Sequence, residues 1–193
     1  NGWNEATIMA WIKIDPSASG TQIIFGQDVF YLQLNADKSI TAYADGNTLS
    51  SGVTVNTNQW THVAASYSCD CLTGDFKLYI NGAIVASAST SSGNLNTDTS
   101  SLTIGRKPNT DSNYFKGYID EIRLFDKSLS ENELHKIVHQ EIVNNGGIIR
   151  GSILPKDITD FDAVTKTSTP LSWSHLVRYY RMDTYKDNVI DNF

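Results

Sequence analysis

The chain has 193 residues, 40% of them hydrophobic and 19% charged, and fifteen Lys and Arg against twenty-one Asp and Glu give a net charge of −6. That length suits a little more than one domain, and the composition excludes a disordered tail or a coiled coil. The acidic balance, without a basic cluster, argues against a nucleic-acid partner, and no run approaches the ~20 apolar residues of a membrane-spanning helix.

Strand signals dominate the first two thirds. Residues 7–14 read T-I-M-A-W-I-K-I, which places Ile8, Ala10, Ile12 and Ile14 on one face at period two. Residues 30–34 and 39–43 flank the polar stretch Asn35-Ala36-Asp37-Lys38 and predict a hairpin. Further strands are expected over 60–67 and 76–80. Asn81-Gly82 supplies the positive-φ pair of a tight turn, and 83–88 returns antiparallel. Residues 102–105 and 114–125 complete the series. Many strands separated by Ser-, Asn- and Gly-rich loops, with no interleaved helices, indicate an antiparallel sandwich or barrel.

One helix is expected, from Ser130 to about Glu141. Ser130 and Glu133 have the spacing of a capping box, with Leu129 and Leu134 placed as its hydrophobic staple. Residues 143–175 carry glycines, prolines and scattered apolar groups without a period, and read as an ordered linker. Residues 176–193 are again strand-like. The expected organisation is therefore a domain over 1–142, a linker over 143–175 and a terminal segment over 176–193.

The motifs W-x-H-V-A at 60–64, K-L-Y-I-N-G at 77–82, L-x-I-G at 102–105 and G-Y-I-D-E-I-R-L-F at 117–125, followed by L-S-E-N-E-L at 129–134, resemble the laminin-G-like, concanavalin-A-like jelly-roll modules. The resemblance spans residues 5–142. It implies an all-β, two-sheet antiparallel jelly roll, one sheet concave, closed by a short C-terminal helix. Such modules usually begin with a Y-Y-x-M-D-like strand. Here that opening is absent, and Tyr179-Tyr180-Arg181-Met182-Asp183 stands at the far end. The segment either starts a following module of a tandem array or fills the vacant strand position of the first.

The resemblance also bears on chemistry. Jelly-roll glucanases carry an E-x-D-x-x-E strand, but around Asp120 the flanking positions are Tyr118 and Arg123, and strand alternation turns Glu121 to the opposite face. No hydrolase activity is expected. A late-strand Asp in this fold implies a structural calcium ion at Asp120, with Glu5 or Asn4 assisting; the alternative is that Asp120 caps loop amides or pairs with a base. The acids Asp28, Asp98 and Asp111 form a weaker rim candidate. His135 and His139 have zinc-ligand spacing but lack a third ligand. His62 reads as a packed histidine with one hydrogen-bonded nitrogen, and Cys69-Asp70-Cys71 as turn thiols or a strained bridge.

Aromatic recognition is the remaining possibility. Tyr31, Tyr43, Tyr114 and Tyr118 are candidate sugar-stacking residues, whereas Trp11 and Trp60 are expected in the core. The sequence therefore predicts a non-catalytic adhesion or carbohydrate-binding module, secreted or at a bacterial cell surface, with a glycan or extracellular protein as ligand. Neighbouring modules of the same chain are further expected partners. The alternatives are a structural spacer, or a passenger segment held by secretion or surface-attachment machinery.

Overall fold

The computed structural model describes residues 2–69, 74–90, 93–162, 164–186 and 189–192. Its first strands are β1 (Glu5–Ile14), β2 (Gln22–Gln27), β3 (Phe30–Leu34), β4 (Ser39–Ala44), β5 (Asn47–Thr54) and β6 (Trp60–Ser68). They are followed by β7 (Asp75–Ile80), β8 (Ala83–Ser89), β9 (Thr103–Ile104) and β10 (Gly117–Phe125). Helix α1 (Glu131–Ile137) comes next, then β11 (Ile142–Asn145), β12 (Ile148–Gly151), β13 (Thr159–Asp162), β14 (Thr167–Pro170), β15 (Leu176–Lys186) and β16 (Val189–Asn192).

Two antiparallel sheets face each other. Among the described residues one has seven strands in the order β16-β15-β10-β1-β6-β7-β8, and the other has five in the order β5-β4-β3-β2-β9. The even residues of β1, from Ala6 to Ile14, fill the space between them with Leu32, Leu34, Ile40, Val63, Phe76 and Leu78. The Asn81-Gly82 turn has both residues at positive φ, 51° and 82°, as the β7–β8 hairpin requires. Strands β2 and β5 escape the period-two reading. The first is buried on both faces, and the second is a polar strand at the end of its sheet, entered through a like turn at Asp45-Gly46.

A second core lies on the other side of the seven-stranded sheet. There Met9, Ala64, Tyr79, Phe125 and Tyr179 pack against Leu129, Leu134 and Ile137 from the helical segment. The stretch 143–175, expected to be a linker, is folded and belongs to this layer. β11 pairs with β12 and β13 with β14, and Ile149, Ile158 and Leu171 are buried. A ring of backbone bonds joins those three: Ile149 N–H to the Leu171 carbonyl at 2.8 Å, Ile158 to Ile149 at 2.9 Å and Leu171 to Ile158 at 2.7 Å. The apolar residues that anchor this layer are so far apart along the chain that no periodicity reveals it.

The tail is bonded to the sandwich. β15 pairs with β10 in the register Ile122↔Tyr180, Arg123↔Tyr179 and Leu124↔Arg178. Tyr179 thereby joins the second core while Tyr180 packs against the first.

The helix begins as its sequence predicts. The Ser130 side chain accepts from Glu133 N–H, the Glu133 carboxylate accepts from Ser130 N–H at 2.8 Å, and Leu129 and Leu134 are both buried. It ends at Ile137 rather than near Glu141, because side chains of the underlying sheet take the carbonyls at its end and in the turn that follows. Arg123 donates to the Ile137 carbonyl at 2.9 Å and to that of Gln140, and the Trp11 indole donates to Val138 at 2.8 Å.

His62 is packed beneath Trp11, their rings 5.6 Å apart, but the expected hydrogen bond is missing: neither ring nitrogen has a partner. Burial, then Arg123 and His139, lowers its pKa to about 3. Cys69 donates from its thiol to Asn94 Oδ1 at 3.1 Å, whereas Asp70 and Cys71 lie outside the described residues.

Two predictions follow from this packing. Ser130→Ala removes the helix cap and is expected to cost about 1 kcal/mol in urea denaturation. For His62 the unfolded chain takes up a proton below the ordinary value of 6.5 and the folded chain resists until about 3, so stability falls as pH drops through that window. The loss is about 2 kcal/mol at pH 5. Denaturation at pH 7 and pH 5 is expected to show a smaller drop for His62→Leu than for the wild type.

Candidate functional site

The outer layer covers much of one face of the seven-stranded sheet, so the outward face of the five-stranded sheet is the larger strand surface left open. On β3 the core takes Phe30, Leu32 and Leu34, which turns Tyr31 and Gln33 outward. Register sets Tyr31 opposite Tyr43 of β4, and the two rings stack with centroids 4.8 Å apart and planes 14° from parallel. That spacing matches the separation of neighbouring strands, so the rings stand side by side and each shows its second face along the sheet.

The second face of Tyr31 looks toward β2, where a cleft of about 230 Å³ is floored by Ile23 and lined by Asp28, Gln33, Lys107 and Asn113. Its polar groups are held in place. Gln33 donates to Asn35 Oδ1 at 2.8 Å, and Asn35 in turn donates to Thr41 Oγ1 at 2.8 Å, which leaves the Gln33 amide oxygen as an acceptor. Asn113 donates to the Thr21 carbonyl at 2.9 Å, and its own carbonyl accepts from Ile23 N–H at 2.9 Å. Burial, with Tyr43 and Asp28 adding to it, pushes the Tyr31 phenol up, so it stays a neutral donor. A glycine makes the close approach possible. Gly26 pairs with Tyr31, and a Cβ there would lie 2.4 Å from the Phe30 carbonyl oxygen and 2.5 Å from the Tyr31 Cβ. The cleft therefore offers one flat apolar surface beside fixed donors and acceptors.

Of the tyrosines singled out in the sequence, the fold brings Tyr31 and Tyr43 together. Tyr114, 56% exposed, follows Asn113 directly in the chain. Tyr118 is on the opposite side of the sandwich, at the start of β10 and 66% exposed. Beside it stands Trp60, which is 46% exposed rather than in the core. The single Trp60 position says nothing about burial, because β6 begins there and its outward face is uncovered at that end. Gln33, Lys107 and Asn113 carried no sequence signal, since only folding brings β3 and the β9–β10 loop together.

The residues named for calcium do not converge. Asp120 pairs in register with Trp11, six residues along β1 from Glu5, which is about 20 Å at the rise of a strand. The Glu5 carboxylate instead accepts from Ser128 N–H at 3.1 Å, and Asp120 Oδ1 accepts from Glu121 N–H at 2.7 Å. A hard cation needs six or more oxygens around one point, so this pair does not fit one. Asp111 is paired with Arg106 at 3.1 Å, while Asp98 accepts from Ser100 N–H at 2.9 Å. Among the described residues no three His, Cys, Asp or Glu side chains are grouped to hold a metal.

The alternation expected at Glu121 is broken by a β-bulge. β1 advances from Met9 to Trp11 while β10 runs from Arg123 to Asp120, and Glu121 takes a left-handed φ of 49°. Glu121 therefore faces outward beside Asp120 and meets Arg123. Its carboxylate also accepts from the Tyr179 hydroxyl at 2.6 Å. Burial pushes the Glu121 carboxyl up against the pull of Arg123. Glu121 and Glu141 line one cavity on this face, and there Glu141 is paired with Arg181 at 2.9 Å. Glu121 and Glu141 are thus each held by a guanidinium.

Among the described residues no helix is long and apolar enough to cross a membrane. No curated protein sequence matches the chain. Solved structures show the same fold. A candidate carbohydrate-binding protein from Bacteroides ovatus aligns at 20% identity and TM-score 0.62 over 78% of this chain, which spans half of that protein. The CBM40 of a Ruminococcus gnavus sialidase, bound to α2,3-sialyllactose, aligns at 18% identity and TM-score 0.57, covering 70% of this chain and 83% of its own. Domain 4 of an extracellular GH43 arabinanase from Geobacillus stearothermophilus, in complex with arabinotriose, aligns at 22% identity and TM-score 0.53, covering 70% and 67%. The stacked sheets, their register and the match of residues 2–135 to the laminin-G family model together place the chain in the concanavalin A-like lectin/glucanase superfamily.

Proposed function

We propose that the chain is a non-catalytic carbohydrate-binding module of a secreted or cell-surface protein, and that it takes a glycan in the cleft beside Tyr31. The observation that carries this reading is the Tyr31–Tyr43 stack, whose free face borders a cleft of fixed polar groups. A pyranose or furanose ring has an apolar C–H face and a rim of hydroxyls. Tyr31 takes the face, while Gln33, Asn113 and Asp28 take the rim. Tyr43 backs Tyr31 and keeps its ring upright, which lowers the entropy lost on binding. The saccharides bound by two proteins of the same fold, arabinotriose and sialyllactose, support the ligand class.

Binding without cleavage is supported by the acids. Hydrolysis of a glycosidic bond uses two carboxyl groups about 5 to 9.5 Å apart. Among the described residues the cleft contributes one, Asp28. On the far face, the Glu121 and Glu141 carboxylates are engaged by arginines.

The test is a glycan array followed by calorimetry on the best ligand. Tyr31→Ala is expected to weaken binding at least tenfold, about 1.4 kcal/mol, while the protein stays folded with a melting temperature lowered by only a few degrees from loss of the stack. Tyr43→Ala, which loses only the backing ring, is expected to weaken it by roughly threefold. Wild-type affinity in Tyr31→Ala would refute the site.

A further inference from the structure

The outer layer stops short of one end of the seven-stranded sheet. At that end three side chains from adjacent strands lie in one row, because Lys13 of β1 pairs with Trp60 of β6 on one side and with Tyr118 of β10 on the other. The flanking rings lean together over the lysine, with centroids 6.5 Å apart and planes 55° from parallel. The Lys13 ammonium sits 5.9 Å from the Tyr118 ring centre, and among the described residues it forms no ion pair. In the next row along the same face, Trp11 pairs with Asp120. Two exposed rings, a donor between them and a carboxylate one row away repeat the chemistry of the Tyr31 cleft in open form.

From this row we infer a second glycan-binding surface, independent of the first, formed by Trp60 and Tyr118 over Lys13. The inference rests on the carbohydrate reading of the Tyr31 site. Its scale favours a sugar over a protein. The two rings expose roughly 250 Å² between them, close to the footprint of one or two sugar rings. A stable protein interface needs about 800 Å² from each partner. The Lys13–Asp120 combination favours neutral hydroxylated rings, since an ammonium donates and a carboxylate accepts, and an anionic ligand would meet the carboxylate.

The two surfaces are on the outward faces of opposite sheets, stacked about 10 Å apart, so they point in opposite directions. One ligand segment cannot reach both. A single chain is therefore divalent and cross-links two polysaccharide strands.

The experiment uses affinity electrophoresis in gels containing soluble arabinan, xylan or β-glucan, with sedimentation of each protein in parallel. The proteins are the wild type, Tyr31→Ala/Tyr43→Ala, Trp60→Ala/Tyr118→Ala and the fourfold variant, each checked for folding by circular dichroism. Lys13→Ala is the milder variant should the Trp60 pair disturb the sheet. Two results are expected: Tyr31→Ala/Tyr43→Ala keeps a retardation that the fourfold variant loses, and only the wild type precipitates the polymer. Retardation of the wild type with none in Tyr31→Ala/Tyr43→Ala overturns the second surface and leaves the first standing. No retardation of any protein in any gel refutes the carbohydrate reading and this inference with it. A wild-type dimer that Trp60→Ala/Tyr118→Ala turns into a monomer overturns the inference in favour of self-association.

Discussion

A guanidinium buried under a helix end holds the outer layer of this molecule to its sheet. Arg123 is almost wholly enclosed, and a bare charge there would cost several kcal/mol, so the structure around it is arranged as its solvent. The Ile137 and Gln140 carbonyls accept from it, Glu121 supplies the counter-charge, and the Tyr179 ring lies 5.1 Å from the guanidinium carbon. Each partner comes from a different part of the chain: the end of α1, the turn after it, the bulge of β10 and the strand β15. Losing any of them leaves a desolvated cation, which makes their assembly mutually dependent. The bulge at Glu121 then has a clear use. Alternation counted back from Arg123 already puts Glu121 on the arginine's side, and the left-handed residue lets Asp120, next to it in the chain, face the same way.

This one site sets what is open and what is closed. With α1 and the two hairpins fixed over it, the seven-stranded sheet has apolar cores on both sides, which explains why β1 carries a buried Met9 as well as its run of isoleucines. Among the described residues the five-stranded sheet has no second core, and β3 and β4 turn Tyr31, Gln33, Thr41 and Tyr43 outward around Ile23 of β2. Burial thus assigns roles to faces before any particular ligand is considered.

Much of the sandwich was legible in the sequence, because alternation, tight-turn dipeptides and the capping box are local signals. The strand 7–14, the Asn81-Gly82 hairpin and the Ser130–Glu133 cap all came from patterns fewer than ten residues long. The second core was not legible, since its anchors Ile149, Ile158 and Leu171 lie 9 and 13 residues apart and are joined only by tertiary backbone bonds. The bulge at Glu121 had no signal either, as a one-residue shift in register is visible only once β1 and β10 are paired. For the site, residue type picked out Tyr31 and Tyr43, yet nothing local revealed that they stack with each other or that Tyr118 stands on the reverse face. Register decided both.

The reverse face follows from the same parity that built the first. Along β1 the odd residues Thr7, Met9, Trp11 and Lys13 look away from the five-stranded sheet; the first two are buried and the last two only partly so, as the cover runs out. Trp11 marks the limit: its indole is tied to the Val138 carbonyl at 2.8 Å, the last point at which the helical layer grips the sheet. One strand step further, Lys13 and its two aromatic neighbours lie beyond the outer core formed by the described residues. Large rings kept in contact with water forgo about 25 cal/mol per Å² of burial that a longer helix would supply. The early stop of α1, imposed by Arg123 and Trp11 on its final carbonyls, therefore both secures the outer layer and leaves the aromatic row uncovered.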